Sequence, residues 1–550
     1  MLKKYIVVTG CIILFATTIW AQEQSTTFRI SKSLSIFNSV LREIDLFYVD
    51  TINHEAMVKT AIDHMLNELD PYTVYIPENE ASDISFMTTG EYGGIGSLII
   101  RTSDGICISE PYEGMPAQKN GLKAGDIILE IDGVKTDKMN VSDASSRLKG
   151  TPNTEITLKI KRFGEKKVIV KKFLREKIII HPISYVSHIA PGTGYILLND
   201  FTEKAALEFK NAVKALISKH QIKSLVIDLR NNGGGLIDEA VKIMGYFVPK
   251  GTEIVSTRGK SVYVAHTYKT TIEPIFPDLK LAVLVNSNSA SASEILAGAV
   301  QDLDRGIVVG ERTFGKGLVQ NIRPVSYGGH VKVTTARYYI PSGRCIQAID
   351  YAQRNEDGSI RSIPDSLIKV FKTRNGRPVK DGGGIIPDTI TSDDRKINIA
   401  YYIYSQNLYF DFATQYAARH KSIVAPAEFS LTDEEMQAFR NFLKERKFSY
   451  TPQTKKYFDD LYQFSKYEGL DKEAEAEFEA LRKKLMPDME TKLNENEAEI
   501  RELLSLEIIK RYFYQQGQIE FSHKTDKELK TTISILQQEK IYHDLLTRNI

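Results

Sequence analysis

The sequence predicts a multidomain α+β protein with a helical N-terminal segment, a small mixed α/β module, a layered α/β core and a helical C-terminal extension. The 550 residues exceed what one hydrophobic core usually supports, since domains average about 150 residues. The spacing of apolar residues changes along the chain from helical to strand-like and back. A hydrophobic content of 42%, a charged content of 26% and a net charge of +2 are typical of a globular protein. This charge gives no indication of nucleic-acid binding.

The N-terminus has the pattern of a secretory signal peptide. Two lysines precede an apolar run from Tyr5 to Trp20, which predicts a signal peptide over residues 1–21 and a mature protein in an extracytoplasmic, periplasmic location. An uncleaved membrane anchor is disfavoured because the run is shorter than the roughly 20 residues that span a bilayer. Lipidation at Cys11 ranks below cleavage because few apolar residues precede this cysteine.

Two units precede the core. Residues 25–84 are predicted as a helical domain, because apolar residues recur at turn spacing until residues 69–73 (Leu-Asp-Pro-Tyr-Thr), where proline stops the helix. Residues 85–173 form the mixed α/β module. It opens on a glycine-rich loop, Gly94-Ile95-Gly96, and continues with short strands, one helix near residues 117–122 and a turn at Asp132-Gly133.

The core is predicted over residues 174–395 and the extension over residues 396–550. In the core, strands alternate with helices, which indicates a layered α/β sheet with reactive groups gathered at the carboxyl ends of the strands. The extension is helical and charged, and it includes a capping box from Thr432 to Glu435. It indicates no chemistry, so a docking role, toward a second copy of the chain or an adaptor, is expected.

A serine-rich run lies between a predicted strand, residues 281–285, and a predicted helix that starts at Ala292. A serine at such a turn exposes its hydroxyl beside the helix N-terminal amides, as a nucleophile requires. However, Ser291 and Glu294 also fit a capping box, and a capping serine needs no catalytic role. Taken alone, this stretch favours the capping interpretation.

Lys316 is a candidate general base for such a serine. No histidine of the core has an unusual local sequence, whereas Lys316 lies between Gly315 and Gly317. Burial there would lower the pKa of the amine, and nearby cationic Arg312 could lower it further. Residues 310–316 also match a phosphate-binding loop, but residue 317 is glycine instead of Ser or Thr and a strand follows, so nucleotide binding is rejected.

The glycine run at residues 233–235 follows a predicted strand. Successive glycine amides can bind an anion, as an oxyanion hole requires, although a plain flexible turn explains the run equally well.

Together these segments resemble one protease family. Residues 225–235, 289–302 and 310–320 closely resemble the C-terminal processing peptidases, or tail-specific proteases, which are PDZ-containing Ser/Lys serine proteases. The resemblance covers about residues 35–392, including residues 341–344 (Pro-Ser-Gly-Arg) and 384–388 (Gly-Ile-Ile-Pro-Asp). It departs from the family at an insertion, about residues 348–381, and at the tail after about residue 396.

The resemblance implies a role for each site residue. Ser291 corresponds to the nucleophile, Lys316 to the general base and Gln320 to the residue that orients the base. The backbone amides of Ala292 and Gly234 correspond to the oxyanion donors, although Gly235 fits almost as well as Gly234.

The resemblance also identifies residues 85–173 as a PDZ-like domain that binds protein substrates by their C-terminal tails. Gly94, Ile95 and Gly96 supply the loop whose amides receive a terminal carboxylate, although Ser97 replaces the usual hydrophobic residue. The cysteines do not lie near histidines at metal-ligand spacing, so no metal and no cofactor are expected.

Two other classes of function remain as alternatives. A non-catalytic PDZ scaffold would have no need of Ser291, Lys316, Gln320 and the glycine run together. A hydrolase of small esters is disfavoured because the chain lacks a G-x-S-x-G elbow.

Overall fold

The structure is a computed structural model that describes residues 26–80, 86–354, 360–391, 397–486 and 488–547. The predicted signal peptide lies outside these residues. The predicted multidomain α+β fold is confirmed, with a helical segment, a PDZ domain, a layered α/β core and a C-terminal helical domain.

The described chain begins with two helices, α1 (26–47) and α2 (His54–Asn67). The side chain of Asn53 caps α2 by accepting a hydrogen bond from the Ala56 amide. The helix ends just before the Leu-Asp-Pro turn, as the proline there predicts. A short strand, β1 (Val74–Ile76), then pairs with a strand of the core, so this turn is held against the core.

The PDZ domain has an antiparallel sheet in the order β3-β4-β5-β7-β8, with β6 added to β5. Strand β3 is therefore an edge strand, and β2 pairs separately with β9. The elements are α3 (86–89), β2 (Glu91–Gly94), β3 (Ser97–Thr102), β4 (Gly105–Pro111), α4 (Pro116–Lys119), β5 (Ile127–Ile131), β6 (Val134–Lys135), α5 (Val141–Leu148), β7 (Glu155–Lys161), β8 (Ile169–Leu174) and β9 (Glu176–Ile179).

The core is built on a six-stranded sheet in the order β10-β11-β12-β15-β16-β23. All of its pairs are parallel except β10 with β11. A second sheet, β1-β18-β13-β14 with β17 paired to β18, lies beside the site described below. The elements are β10 (Ile183–Ala190), β11 (Thr193–Leu198), α6 (Ala205–His220), β12 (Ser224–Asp228), α7 (Ile237–Met244), β13 (Glu253–Gly259), β14 (His266–Lys269), β15 (Lys280–Val285), α8 (Ala292–Asp302), β16 (Gly306–Gly310), β17 (Leu318–Pro324) and β18 (His330–Tyr339).

The insertion forms two small hairpins. One pairs β19 (Ile349–Arg354) with β20 (Ile360–Ser362), and the other pairs β21 (Val370–Lys372) with β22 (Pro378–Lys380). Strand β23 (Thr389–Ile390) then completes the large sheet.

The C-terminal domain is helical and covers one face of the large sheet. Its capping box is present, since Thr432 and Glu435 exchange side-chain to backbone hydrogen bonds. No helix in the described ranges has the length and apolar content needed to cross a bilayer. The helices are α9 (Ile399–Ser405), α10 (Leu408–Arg419), α11 (Asp433–Glu445), α12 (Gln453–Glu468), α13 (Glu475–Leu485), α14 (Met489–Glu495), α15 (Glu497–Ser522), α16 (Lys527–Gln537) and α17 (Glu539–Thr547).

The two faces of the large sheet are covered by different helices because side chains alternate along each strand. Leu225 and Ile227 of β12 belong to one apolar cluster, together with buried residues of α6, α7 and α8. Val226 faces the other way and packs with residues of α16 and α17, including Leu536 and Tyr542. The sheet is therefore buried on both sides.

Candidate active site

Ser291 lies at the turn between β15 and α8, with a backbone conformation (φ 58°, ψ −116°) that side-chain-bearing residues rarely adopt. Such strain costs about 1–3 kcal/mol and is concentrated at functional sites. Ser289 and Ser293 are fully buried, and their hydroxyls donate to the carbonyl oxygens of Leu229 (2.8 Å) and Asn232 (2.9 Å). Ser291 alone of these three serines is partly exposed. The middle serine is therefore the one that a substrate could reach.

The glycine run lies directly against this serine. A Cβ atom on Gly234 would lie 2.7 Å from the Ser291 Cβ and 3.0 Å from the Ala292 nitrogen, so only glycine fits there. The Gly234 amide donates to the Asn232 side chain (2.8 Å), whereas Gly235 approaches the Phe201 carbonyl. Gly234 is thus the glycine beside Ser291, but its amide already has a partner in this structure.

Glu294 links the serine turn to the lysine loop. Its fully buried carboxylate accepts hydrogen bonds from the backbone amides of Ser291 (2.9 Å), Gly315 (2.7 Å) and Lys316 (2.9 Å) and from the Thr313 hydroxyl (2.5 Å). Burial raises the pKa of Glu294 to about 6, although these four donors oppose the rise. The S-x-x-E spacing predicted a helix cap, but not the contacts to the lysine loop.

Lys316 has the lowered pKa that a general base requires. The pKa of its amine is lowered from the ordinary 10.5 to about 8, mainly by burial and to a smaller extent by the positive charge of Lys332. The negative charges of Glu294 and Asp70 act in the opposite direction. Arg312, the cation expected to help, is not among the groups that shift this pKa, and its guanidinium bonds the Gly383 carbonyl. The amine stands over an aromatic ring, with Nζ 4.2 Å from the ring centroid of Tyr72.

Tyr338, on β18, contacts both the serine turn and the lysine loop. Its buried hydroxyl lies 3.1 Å from the Ser291 carbonyl oxygen and 2.5 Å from the Lys316 carbonyl oxygen, and it can donate to one of them at a time. No local motif singles out this tyrosine, because its partners come from two distant loops.

Gln320 lies on β17, four residues after the lysine. In the described structure its side-chain amide donates to the Thr334 hydroxyl (3.1 Å) on β18, and no hydrogen bond joins it to the Lys316 amine. The structure thus brings together Ser291, Ala292, Gly234 and Lys316, and it holds Gln320 against the neighbouring strand.

The loop Gly94-Ile95-Gly96 lies directly before the edge strand β3. The carbonyls of Ile95 and Gly96 accept hydrogen bonds from the Ala117 (2.8 Å) and Tyr112 (2.9 Å) amides. These bonds hold the backbone of the loop in place. Gly96 has a φ of +71°. An extended peptide can add to the open edge of β3, with its carboxylate at this loop. The Ser97 hydroxyl, at the departure from the usual loop, is buried without a hydrogen-bond partner in the described structure.

A cavity of about 1780 Å³ separates the carboxyl ends of the core strands from the C-terminal helices. Arg230 crosses it and pairs with Asp228 on β12 and with Asp526 (2.7 Å) and Glu528 (2.7 Å) at the start of α16. The sequence indicated only a strand end here, since the acidic partners lie about 300 residues away.

Three family models match the chain in the order of its domains. The PDZ domain model matches residues 83–161, the model of peptidase family S41 matches residues 192–353, and the model described as "Probable PDZ-protease, C-terminal helical domain" matches residues 399–536. The serine turn and the lysine loop both lie inside the peptidase match.

Curated relatives are proteases of the same kind. A carboxy-terminal-processing protease of Bartonella bacilliformis is 36% identical over 344 residues, which are 62% of this chain and 78% of the relative. A probable CtpA-like serine protease of Staphylococcus aureus is 33% identical over 316 residues, which are 57% of this chain and 62% of that protein. Among solved structures, a photosystem II D1 C-terminal processing protease is 29% identical, covering 64% of this chain and 86% of its own, with a TM-score of 0.36.

The fold and the matches define a serine protease that carries a PDZ domain. The chain belongs to peptidase family S41, among the carboxy-terminal-processing proteases.

Proposed function

We propose that the protein is an exported endopeptidase in which Ser291 is the nucleophile and Lys316 the general base. The observation that carries this proposal is the Glu294 carboxylate, which bonds the backbone of both residues and so holds the strained serine turn and the lysine loop together. A scaffold protein would gain nothing from a lysine whose pKa is lowered to about 8 in a loop that is bonded to such a serine turn.

The reaction begins with the neutral amine of Lys316, which takes the proton of the Ser291 hydroxyl as Oγ attacks the peptide carbonyl. The resulting oxyanion receives hydrogen bonds from the Ala292 amide, at the N-terminus of α8, and from the glycine run. The lysine ammonium then gives its proton to the departing amine, leaving an ester on Ser291. Water, deprotonated by the same amine, hydrolyses this ester and restores both residues.

Substrate choice belongs to the PDZ domain. A protein tail adds to the edge of β3 and its terminal carboxylate binds at Gly94, Ile95 and Gly96, where the backbone can offer amides. The domain therefore selects, or admits to the protease, proteins with accessible C-termini.

Alanine variants test the dyad, with fluorescein-labelled casein as an unstructured substrate. Ser291→Ala and Lys316→Ala should each abolish cleavage, and the double variant should be no worse, because the two residues act as one unit. Ser287→Ala is a matched control, since this exposed serine lies in the same run. Full activity of Lys316→Ala, or a loss of activity only on replacing a histidine, would exclude the Ser/Lys mechanism.

We also propose that residues 1–21 are removed and that the mature enzyme works outside the cytoplasm. Trp20 is the only tryptophan, so the mature enzyme should show tyrosine emission alone. Tryptophan emission from protein purified out of the cell envelope would contradict cleavage at this position.

A further inference from the structure

The aromatic ring under the catalytic amine comes from outside the protease sheet. Tyr72 follows the Leu-Asp-Pro turn of the N-terminal segment, and its ring centroid lies 4.2 Å from the Lys316 Nζ. At this distance the face of the ring attracts the charged form of the amine, while its apolar surface excludes water.

The backbone of Tyr72 is fixed by a buried turn. The Asp70 carboxylate accepts hydrogen bonds from the amides of Tyr72 (2.8 Å) and Thr73 (2.8 Å) and from the Thr73 hydroxyl (3.0 Å). The same hydroxyl accepts a hydrogen bond from the Thr334 amide (3.1 Å) on β18. The ring is thereby anchored to the strand that also carries Tyr338.

The inserted segment supports the other end of the ring. The hydroxyls of Tyr72 and Tyr351, on β19, lie 3.2 Å apart, and their rings meet edge to face at 5.8 Å. The chain just before β19 is bonded to the glycines that flank the lysine, since the Ala348 amide donates to the Gly315 carbonyl (2.9 Å) and the Gly317 amide to the Gln347 side chain (2.7 Å). The insertion therefore begins against the lysine loop.

We propose that Tyr72 is a positioning residue for Lys316, and that Tyr351 of the insertion holds Tyr72 in place. The ring holds the charged amine beside the serine turn and releases it when it loses its proton. This inference rests on the proposed Ser/Lys mechanism. The insertion is the main departure from the family within the protease core. Through Tyr351 it would act on the position of the Lys316 amine.

The charges that act on the amine come from several elements. Lys332 of β18 lowers the pKa of Lys316, while Glu294 of α8 and Asp70 of the turn raise it. The ionisable phenols nearby are those of Tyr72, Tyr338 and Tyr351. Because Tyr72→Leu leaves all these charges in place, a change in the pH profile reports the ring itself.

The first test compares the pH dependence of cleavage of fluorescein-labelled casein at low substrate concentration. Tyr72→Leu keeps an apolar side chain but removes the π face, so the charged amine loses an attraction and the rising limb should move to lower pH by roughly one unit. Tyr72→Phe keeps the face and should leave the limb in place. Tyr263→Leu, on an almost fully exposed tyrosine, is the control for losing a ring elsewhere.

If Tyr72→Leu lowers the melting temperature but leaves the rising limb of the pH profile where it is in the wild type, Tyr72 has only a packing role. This result would overturn the proposal. A limb moved to higher pH would show that the ring only excludes water, which overturns the attraction we assign to it. If Lys316→Ala stays active, the dyad itself fails, whereas an inactive Lys316→Ala with an unmoved Tyr72→Leu limb refutes only the role of Tyr72.

The second test concerns the insertion. Tyr72→Phe and Tyr351→Phe remove the same hydroxyl contact, so each should lower the rate by roughly two- to tenfold and the double variant should be no slower than either. Reductions that multiply in the double variant would mean that the two hydroxyls act independently, which overturns the role given to Tyr351.

Discussion

At the scale of single residues, the site depends on two buried ionisable groups whose pKa values move toward neutrality. Lys316 is lowered to about 8 and Glu294 is raised to about 6, both mainly by burial. They differ in their partners: the carboxylate is held by four hydrogen-bond donors, whereas the amine faces a ring.

The first prediction is the pH dependence of catalysis. In the proposed mechanism only the neutral amine of Lys316 accepts the Ser291 proton, so the rate should rise with pH and level off above about 8. The measurement is the initial rate of casein cleavage between pH 5.5 and 9.5 at constant ionic strength. A rate that falls through this range would be inconsistent with a lysine base.

The second prediction concerns stability. A lysine whose pKa is lowered on folding destabilises the protein: the cost is absent above its ordinary pKa of 10.5, builds up as the pH falls from 10.5 to about 8, and is fully present below 8. Lys316→Met should therefore stabilise the protein at pH 7 by about 1–3 kcal/mol, and the gain should shrink toward pH 10. Melting temperatures at both pH values test this, with the exposed Lys250→Met as control. An equal gain at both pH values would point to packing instead of charge.

The third prediction is that Glu294→Gln weakens the connection between the serine turn and the lysine loop. All four groups around the carboxylate are donors, so the amide NH2 of glutamine would face a donor and at least one bond is lost. We expect a stability loss of about 2–4 kcal/mol and a large fall in turnover. Circular dichroism and cleavage assays measure the two effects. Wild-type turnover would show that Glu294 only caps the helix.

At the scale of elements, the proposed tail-binding site is the open β3 edge with the loop that precedes it. The fourth prediction is that peptides bind through a free carboxylate, so amidating a binding peptide should weaken it at least tenfold. Fluorescence anisotropy on Ser291→Ala protein avoids cleavage during the measurement. Gly96→Ala should also weaken binding, because its Cβ would lie 2.5 Å from Met115 Cβ. Equal affinity for the acid and the amide would argue against the carboxylate loop.

At the scale of the whole molecule, the C-terminal helices complete the protease core. The Tyr542 hydroxyl lies 3.1 Å from both the amide nitrogen and the carbonyl oxygen of Leu281, a residue of β15. Helix α15 also contacts the PDZ domain, through Lys510 and Glu110 (2.9 Å) and through Tyr514 and Gln118 (2.7 Å). The C-terminal helical domain therefore contacts both the PDZ domain and the protease core.

The fifth prediction follows from this packing. Leu536→Ala should destabilise the protease core by about 2–5 kcal/mol, because the side chain is buried against the sheet. Ile541→Ala, on the adjacent helix but 41% exposed, should cost less than about 1 kcal/mol. The stability of both variants is measured by thermal unfolding, with the loss of protease activity as the signal. A loss for Leu536→Ala as small as that expected for Ile541→Ala would mean that α16 is not part of the core.

Much of the order of elements was determined by the sequence. An apolar run predicted a strand over residues 224–229, where the structure has Ser224–Asp228, and the helix predicted from Ala292 onward begins at that residue. The strand is buried on both faces, so a run of apolar residues without alternation marks it in the sequence. The strand-to-helix turn and the two glycines around Lys316 likewise marked the serine and the lysine, since local backbone requirements leave local signals.

Only the tertiary structure decided which side chains complete the site. Glu294 faces the lysine loop, Tyr72 lies under the amine and Lys332, not Arg312, is the cation that lowers its pKa. These pairs join residues from different elements, up to about 240 positions apart. No local period or motif encodes such contacts. The sequence determined where the serine and the lysine lie along the chain, whereas the packing of distant elements decided their burial, and burial sets the protonation on which the proposed chemistry depends.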